Sequence, residues 1–402
     1  MKLAKLSLAA MVVAGLATSS FAADTLADAF AKGKVSGELR AWYFDRDYSK
    51  PTVKDADIFN TGLVLGYVTD SFYGFSMGAT MQSNFAPFAD KDAKSVYAAD
   101  MAGTGAVLSE AYLAYKMKNT TVKVGRQFIT TPLVAGSGSR MIKQSFEGAL
   151  IVNTDLPNTT LAAGYVDKYQ DRTDGAGNVG KFLQVGAEKD GAYTILAINK
   201  SIPGVTLTGQ WAQVTDAVDD YYAEVAYAGK AGEVAYGLAA NYLSSDFDAA
   251  GADSGVMYGA KLSLGMGDLN GYVAYTKITD DNYVAPGLGG GAQPAFAKGY
   301  QVTTGTYNYS DTDAYSVDVN YNFKAIGLLA GIRYTAVELG DKAIKAAAEK
   351  IAVTVDDRSY TDIYAVYNFA GALKGLALDL SYEDMGKDLD GSELWFKANY
   401  KF

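Results

Sequence analysis

From Lys34 to its C-terminus the chain repeats one pattern: a run of alternating apolar and polar side chains, then a turn. Successive side chains of a β-strand point to opposite faces, so each run has one greasy face and one wet face. Over 35–44, Val35, Gly37, Leu39, Ala41 and Tyr43 oppose Ser36, Glu38, Arg40 and Trp42. Over 73–82, Tyr73, Phe75, Met77, Ala79 and Met81 oppose Gly74, Ser76, Gly78, Thr80 and Gln82. Over 315–323, Tyr315, Val317, Val319, Tyr321 and Phe323 oppose Ser316, Asp318, Asn320 and Asn322. Runs of about ten residues suit strands that cross a bilayer at a tilt. A soluble sandwich would show the same alternation with its faces exchanged, so other features must decide.

The links between runs are one such feature. Tight links at 69–72, 118–119, 154–158, 201–204, 229–232, 265–268, 324–325 and 370–373 are interleaved with long polar ones. The long links lie near 46–57, 84–106, 128–146, 169–190, 244–255, 278–312 and 338–360. A barrel inserted from one side has short turns at one end and long loops at the other, and a sandwich has no reason to sort its links so. The chain ends in ELWFKANYKF, where Leu394, Phe396, Ala398, Tyr400 and Phe402 alternate with Glu393, Trp395, Lys397, Asn399 and Lys401. A last strand with a terminal aromatic resembles the signal read by the machinery that inserts outer-membrane barrels. That machinery is an expected partner through Phe402. Nineteen runs can be counted, but single-chain bacterial barrels have even strand numbers. The weakest run, 181–188 (KFLQVGAE), follows a Gly/Asp-rich stretch, and assigning it to a long loop preserves the short/long order. The expected fold is all-β: a closed antiparallel transmembrane β-barrel of 18 strands, with 16 as the alternative count.

The N-terminus supplies the route out of the cytoplasm. Lys2 and Lys5 precede an apolar run over 6–17, and Ser20-Phe21-Ala22 follows. This order reads as a secretory signal peptide over 1–22, with cleavage after Ala23 as an alternative. The run is shorter than the roughly 20 residues that span a bilayer as a helix. Residues 23–33 then read as a short periplasmic segment and 34–402 as the barrel. Thirty Tyr suit membrane–water interfaces, where the ring meets lipid and the hydroxyl meets water. Zero Cys and zero His remove thiol and imidazole nucleophile chemistry and most zinc sites. Net charge is −10, or −12 without the two leader lysines, which argues against nucleic acid as a partner. No enzyme activity and no cofactor is expected.

A barrel of this width encloses an aqueous lumen unless loops fill it. The inward faces read as rich in Gly, Ser, Thr and Asn, a composition unable to build an apolar plug, and only 24–33 precedes the first strand. That stretch, DTLADAFAKG, reads either as one or two helical turns with Leu26 and Phe30 on one side, or as a plain tail. Gly175, Gly177 and Gly180 spell GxGxxG, but no helix pattern follows, so a loop is expected rather than a dinucleotide site. Asp clusters at 171–174, 280–281, 356–357 and 388–390 lack EF-hand spacing and read as solvated turns. Residues 341–352 carry a helical stripe of Ile344, Ala348 and Ile351 inside a long link.

The segment 107–148 is the most informative. Its second strand runs into an irregular stretch with Pro132, small residues over 135–138, then Arg140, Lys143 and Gln144. Such a loop can fold inward and carry cations into the lumen, or stay outside and touch lipopolysaccharide phosphates. Here the chain resembles the OprD-type family of substrate-specific outer-membrane porins. The resemblance rests on Lys123-Val124-Gly125-Arg126-Gln127, Thr131-Pro132, Gly138-Ser139-Arg140-Met141, and Gln144 with Phe146 and Gly148. The first strand, GKVSGELRAWYFDRD, and the Ile202-Pro203-Gly204 turn also look like that family. The resemblance implies an 18-stranded barrel whose third external loop folds into the lumen. It also implies passage of small carboxylates or amino acids along a ladder of lumen Arg and Lys.

By alternation, Arg40, Lys116, Lys123, Lys261 and Arg333 face inward, and Arg126, Arg140 and Lys143 lie on or near the inward loop. Glu38, Glu110, Glu224, Asp318, Asp379 and Glu383 face inward too. With seven Arg in the whole chain the ladder is thin, and mixed or weak ion selectivity is expected. The function expected is an outer-membrane porin giving passive diffusion of small hydrophilic solutes and ions. The rival is a structural or adhesive barrel with a plugged lumen. Outer-membrane lipid, lipopolysaccharide and small solutes are the expected partners. Lipid faces that look alike all round leave a single barrel and a homotrimer both open.

Overall fold

The computed structural model describes residues 23–49, 54–186, 188–301, 308–340, 357–387 and 390–402. The expected signal peptide over 1–22 and the expected helical stripe over 341–352 lie outside the described residues. Nineteen strands follow a short helix, α1 (Leu26–Ala31). They are β1 (Lys34–Tyr48), β2 (Ala56–Val68), β3 (Phe75–Asn84), β4 (Gly105–Met117), β5 (Thr120–Gln127), β6 (Ser145–Asn153) and β7 (Thr159–Gln170). Next come β8 (Phe182–Gln184), β9 (Ala192–Asn199), β10 (Val205–Val214), β11 (Val218–Ala231), β12 (Val234–Phe247) and β13 (Gly255–Met266). The last six are β14 (Leu269–Ile278), β15 (Thr312–Phe323), β16 (Leu328–Leu339), β17 (Arg358–Asn368), β18 (Leu376–Lys387) and β19 (Gly391–Lys401). A second helix, α2 (Lys91–Val96), sits in the β3–β4 link.

Eighteen of these strands pair antiparallel with their neighbours and close on themselves through β1 and β19. The extra one is β8, which bonds only to β7, just beyond the point where β9 stops pairing. It is the 181–188 run, and it belongs to a long link as the length order requires. At the seam Gly37 and Phe402 exchange backbone hydrogen bonds of 3.0 Å. The Phe402 ring lies flat over Gly37, where a Cβ would overlap it. The terminal aromatic therefore covers the seam where β1 has no side chain of its own.

The two faces separate as the alternation predicts. On β15, Tyr315, Val317, Val319, Tyr321 and Phe323 are 42–47% exposed, whereas Ser316 and Asp318 are 1% and 2% exposed. A closed barrel turns the first set out and the second in. Two departures from strict alternation come from bulges. Ser109 on β4 and Asp167 on β7 are extra residues, which keeps both Ser109 and Glu110 on the inner face.

Two expectations need correction. Only three residues separate β10 from β11 and β18 from β19 although these links lie at the long-loop end, so only most of the links there are long. The inner faces are also not uniformly small and polar. Trp42, Phe44, Ile58 and Trp395 pack with Tyr97, Met101 and Met141 from two loops. Leu243, Met257 and Ile278 pack with Ile129, Leu133 and Val284, and Val337 and Met385 pack with Ala297. These apolar inner positions gather toward the long-loop ends of the strands, where they pack against loop residues.

The face assignment makes a sharp prediction. Val317→Arg places a charge in the lipid-facing band and should cost about 2–4 kcal/mol of barrel stability. Thr206→Arg, on the inner face, should cost less than about 1 kcal/mol. Reversible urea unfolding in liposomes compares the two, and equal losses would refute the assignment.

Candidate functional site

The loop between β5 and β6 is built by its own short-range bonds. Thr131 accepts from the Val134 N–H at 3.0 Å, forming a turn around Pro132. Gly136 lies against the Gln144 carbonyl with no room for a Cβ. The Gln144 side chain accepts from Ser137 N–H and from Gly290 N–H, each at 2.9 Å, tying this loop to the β14–β15 link. Bonds to the wall then run in several directions. The Met141 carbonyl accepts from Arg40 of β1 at 2.7 Å. The Gln82 amide of β3 brackets Lys143, accepting from its N–H at 2.9 Å and donating to its carbonyl at 2.8 Å. Leu133 N–H donates to Gln210 of β10 at 3.0 Å.

Arg140 is the buried centre of this arrangement, 4% exposed. Its Nε donates to Asp100 at 3.0 Å, and its guanidinium lies 4.4 Å from the Trp395 ring centroid and 5.3 Å from that of Phe44. Trp42, Phe44 and Trp395 stack along the inner wall, with interplanar angles of 3° and 7°. Lys397 adds an ammonium 4.2 Å from the Trp395 centroid, and Arg40 one guanidinium 5.2 Å from that of Trp42. Aromatic faces attract cations, so this stack is a cation-binding wall. Arg46 bridges Asp100 at 3.0 Å and Glu393 at 3.1 Å. Burial alone would raise the Asp100 carboxyl, but Arg140 and Arg46 overcome it and hold the group below its ordinary value.

The other expected residues fall into three groups. Lys123 pairs with Glu110 at 3.4 Å, and Lys143 stands 4.3 Å from the Phe128 centroid, its ammonium disfavoured by burial. Across the barrel Arg333 pairs with Asp318 at 2.9 Å, Tyr364 donates to the same carboxylate at 3.0 Å, and Lys261 lies 3.8 Å from the Tyr272 centroid. Lys298, from the β14–β15 link, joins that side; burial, then Arg333 and Lys261, push its pKa down to about 8. Below it a cavity of about 590 Å³ is lined by Lys200, Glu224, Lys261, Asn270 and Tyr272. Lys116 shares the inner-face parity of Ala114 but is exposed near the short-turn end.

Arg126 departs from the expected set. It shares the outer face with Val124, bonds to Glu147 at 2.8 Å, and lies 4.2 Å from the Phe182 centroid of β8. It is still within a regular strand, where alternation and not the loop decides its direction. Arg46, Lys397, Lys298 and Asp100 were missed by sequence reading. Arg46 and Lys397 carry a readable signal, the parity of Arg40-Trp42-Phe44 and of Trp395; Asp100 and Lys298 sit in loops and carry none.

The family model for the outer membrane porin, OprD family, matches residues 28–393. The chain belongs to the OprD family. Similar solved structures include Pseudomonas aeruginosa OpdO, with a TM-score of 0.77 and 18% identity over 94% of this chain and 98% of that one. Acinetobacter baumannii OccAB4 gives 0.77 and 19% over 92% and 98%. A BenF-like porin from Pseudomonas fluorescens Pf-5 gives 0.78 and 17% over 93% and 99%. A search of curated protein sequences gave no match. As an OprD-family porin the barrel is an outer-membrane channel for small molecules, with its greasy faces against lipid. Its long-loop end is the external one, and its short-turn end the periplasmic one.

Asp100 holds two buried cations, so Asp100→Asn should lower local stability around 97–102 and 138–144 by about 3 kcal/mol. Hydrogen exchange should then lose about a hundredfold protection in both segments. Unchanged exchange at 138–144 would mean that Arg140 does not depend on Asp100.

Proposed function

We propose that the third external loop, 128–144, crosses the barrel and narrows a water-filled lumen through which small polar solutes diffuse passively. One observation carries this reading. A loop that joins β5 to β6 bonds to Arg40 on β1, to Gln82 on β3, and to Gln210 on β10, about half-way round the ring from β1. Partners so far apart are within reach of one short segment only across the bore. The apolar packing of Met141 on one wall and Leu133 on the other supports the same path.

The charges set what the narrowed bore prefers. Arg40, Arg46, Lys123, Arg140 and Arg333 each have a carboxylate within 3.4 Å, so the bore presents paired fields of both signs. Charged rings bias entry by their net field, and paired rings bias it little. The pore then has weak ion preference and suits solutes that carry a carboxylate beside other polar groups, such as small carboxylates and amino acids. Export by the N-terminal leader and insertion through the C-terminal strand complete the reading.

Two recordings in planar bilayers test it. Arg140→Ala should release the loop anchor and raise single-channel conductance about twofold or more; an unchanged step size would sink the constriction. The second uses Lys298, whose pKa of about 8 leaves it mostly charged at pH 7 and mostly neutral at pH 9. Raising the pH from 7 to 9 should therefore move the reversal potential toward cation preference. Lys298→Met should shrink that drift, and an undiminished drift would place the titrating group elsewhere.

A further inference from the structure

Helix α1 is fastened to the short-turn rim and leaves two large apolar side chains uncovered. Thr25 caps it, accepting from the Asp28 N–H at 3.0 Å. Its body is tied to the β2–β3 turn at the periplasmic rim: Asp70 N–H donates to the Ala29 carbonyl at 2.9 Å, and Ala23 N–H to the Ser71 carbonyl at 2.7 Å. The Tyr67 hydroxyl donates to the Phe30 carbonyl, and Gly33 lies flat on the Tyr67 ring where a Cβ would not fit. Tyr67 shares the outer face of β2 with Leu65, which is 39% exposed. The end of the helix is thus docked on the lipid side of the rim, not beneath the bore.

Ala29 is buried against the turn, whereas Leu26 and Phe30, one helical turn apart on one stripe, are 58% and 47% exposed. On the same rim Val35, Phe75 and Phe402 are exposed apolar side chains that share the parity of the lipid-facing residues Leu39, Met77 and Tyr400. Aromatic side chains gather where a barrel passes through the membrane–water boundary. Phe30 continues that belt one step beyond the strands. Thr25 and Asp28, at the helix start, keep polar groups beside the apolar stripe, the distribution of a segment lying in an interface.

We infer that α1 is an interfacial anchor, with Leu26 and Phe30 seated among the lipids of the periplasmic leaflet. The occupant is phospholipid and not a second copy of the chain, because the stripe is continuous with the lipid-facing belt. The anchor fastens the N-terminal segment next to the β1–β19 seam.

The chain has no cysteine, so single substitutions can be spin-labelled cleanly. Leu26→Cys, Phe30→Cys and, as a polar reference, Asp24→Cys are labelled in the full-length porin. Val317→Cys, in the lipid-facing band, reports that the barrel is inserted. In phosphatidylethanolamine–phosphatidylglycerol vesicles, labels at 26 and 30 should be at least threefold more accessible to oxygen, relative to a nickel chelate, than the label at 24. If they match position 24 while position 317 reads as lipid-exposed, the helix lies in water and the inference fails. Spin–spin broadening at 26 or 30 that vanishes on dilution with unlabelled porin would also overturn it, since a second copy would then cover the stripe.

Discussion

Hydrocarbon offers no partner for a backbone N–H or C=O, so a sheet in a membrane has to bond to itself all the way round. In this chain that requirement falls on β1 and β19, which are farthest apart in sequence and pair over eleven register positions from Glu38–Lys401 to Tyr48–Gly391. Everything else in the fold follows from that closure. Once the ring is shut, outward side chains must suit lipid and inward ones must suit water or a loop. The period-two pattern is the trace of this sorting. The eighteen-strand ring thereby closes its own edges, which an open sheet would leave free to recruit another chain.

Inside the ring the walls hold their charges in pairs and their cations over rings. A lone buried charge is costly, and a carboxylate neighbour or an aromatic face lowers that cost. The Trp42–Phe44–Trp395 stack does this for Arg40, Arg140 and Lys397 together, and Tyr272 does it for Lys261. The proposed constriction loop thus meets a wall already organised to receive its guanidinium. Lys298 donates to the Gln293 carbonyl at 3.1 Å, and burial together with the nearby Arg333 and Lys261 weakens its ammonium.

The architecture was largely legible because alternation and link length are local properties. The strand number came from treating 181–188 as part of a link, and Phe182–Gln184 indeed bonds only to the overhang of β7. The inner-wall bases were readable from parity wherever a strand ran unbroken, as for Arg40, Lys123, Lys261 and Arg333. Nearness to the loop misleads for Arg126, whose parity continues the outer face of Val122 and Val124. The apolar inner positions were hidden because Phe44 or Ile278 becomes a core residue only when a loop distant in sequence arrives to cover it. Asp100 and Lys298 were illegible for the same reason. Their significance lies in partners 40 and 35 positions away, respectively, which no local pattern encodes.

Two of the chain's three tryptophans, Trp42 and Trp395, belong to the stacked wall beneath Arg140, and the third, Trp211, bonds to Asp219 far from it. Indole light emission responds to nearby charge and to the wetness of its surroundings. A guanidinium lifted away from Trp395, with water entering behind it, would alter the colour and intensity of that emission. The porin therefore carries a native optical gauge of its own loop, readable without any attached dye.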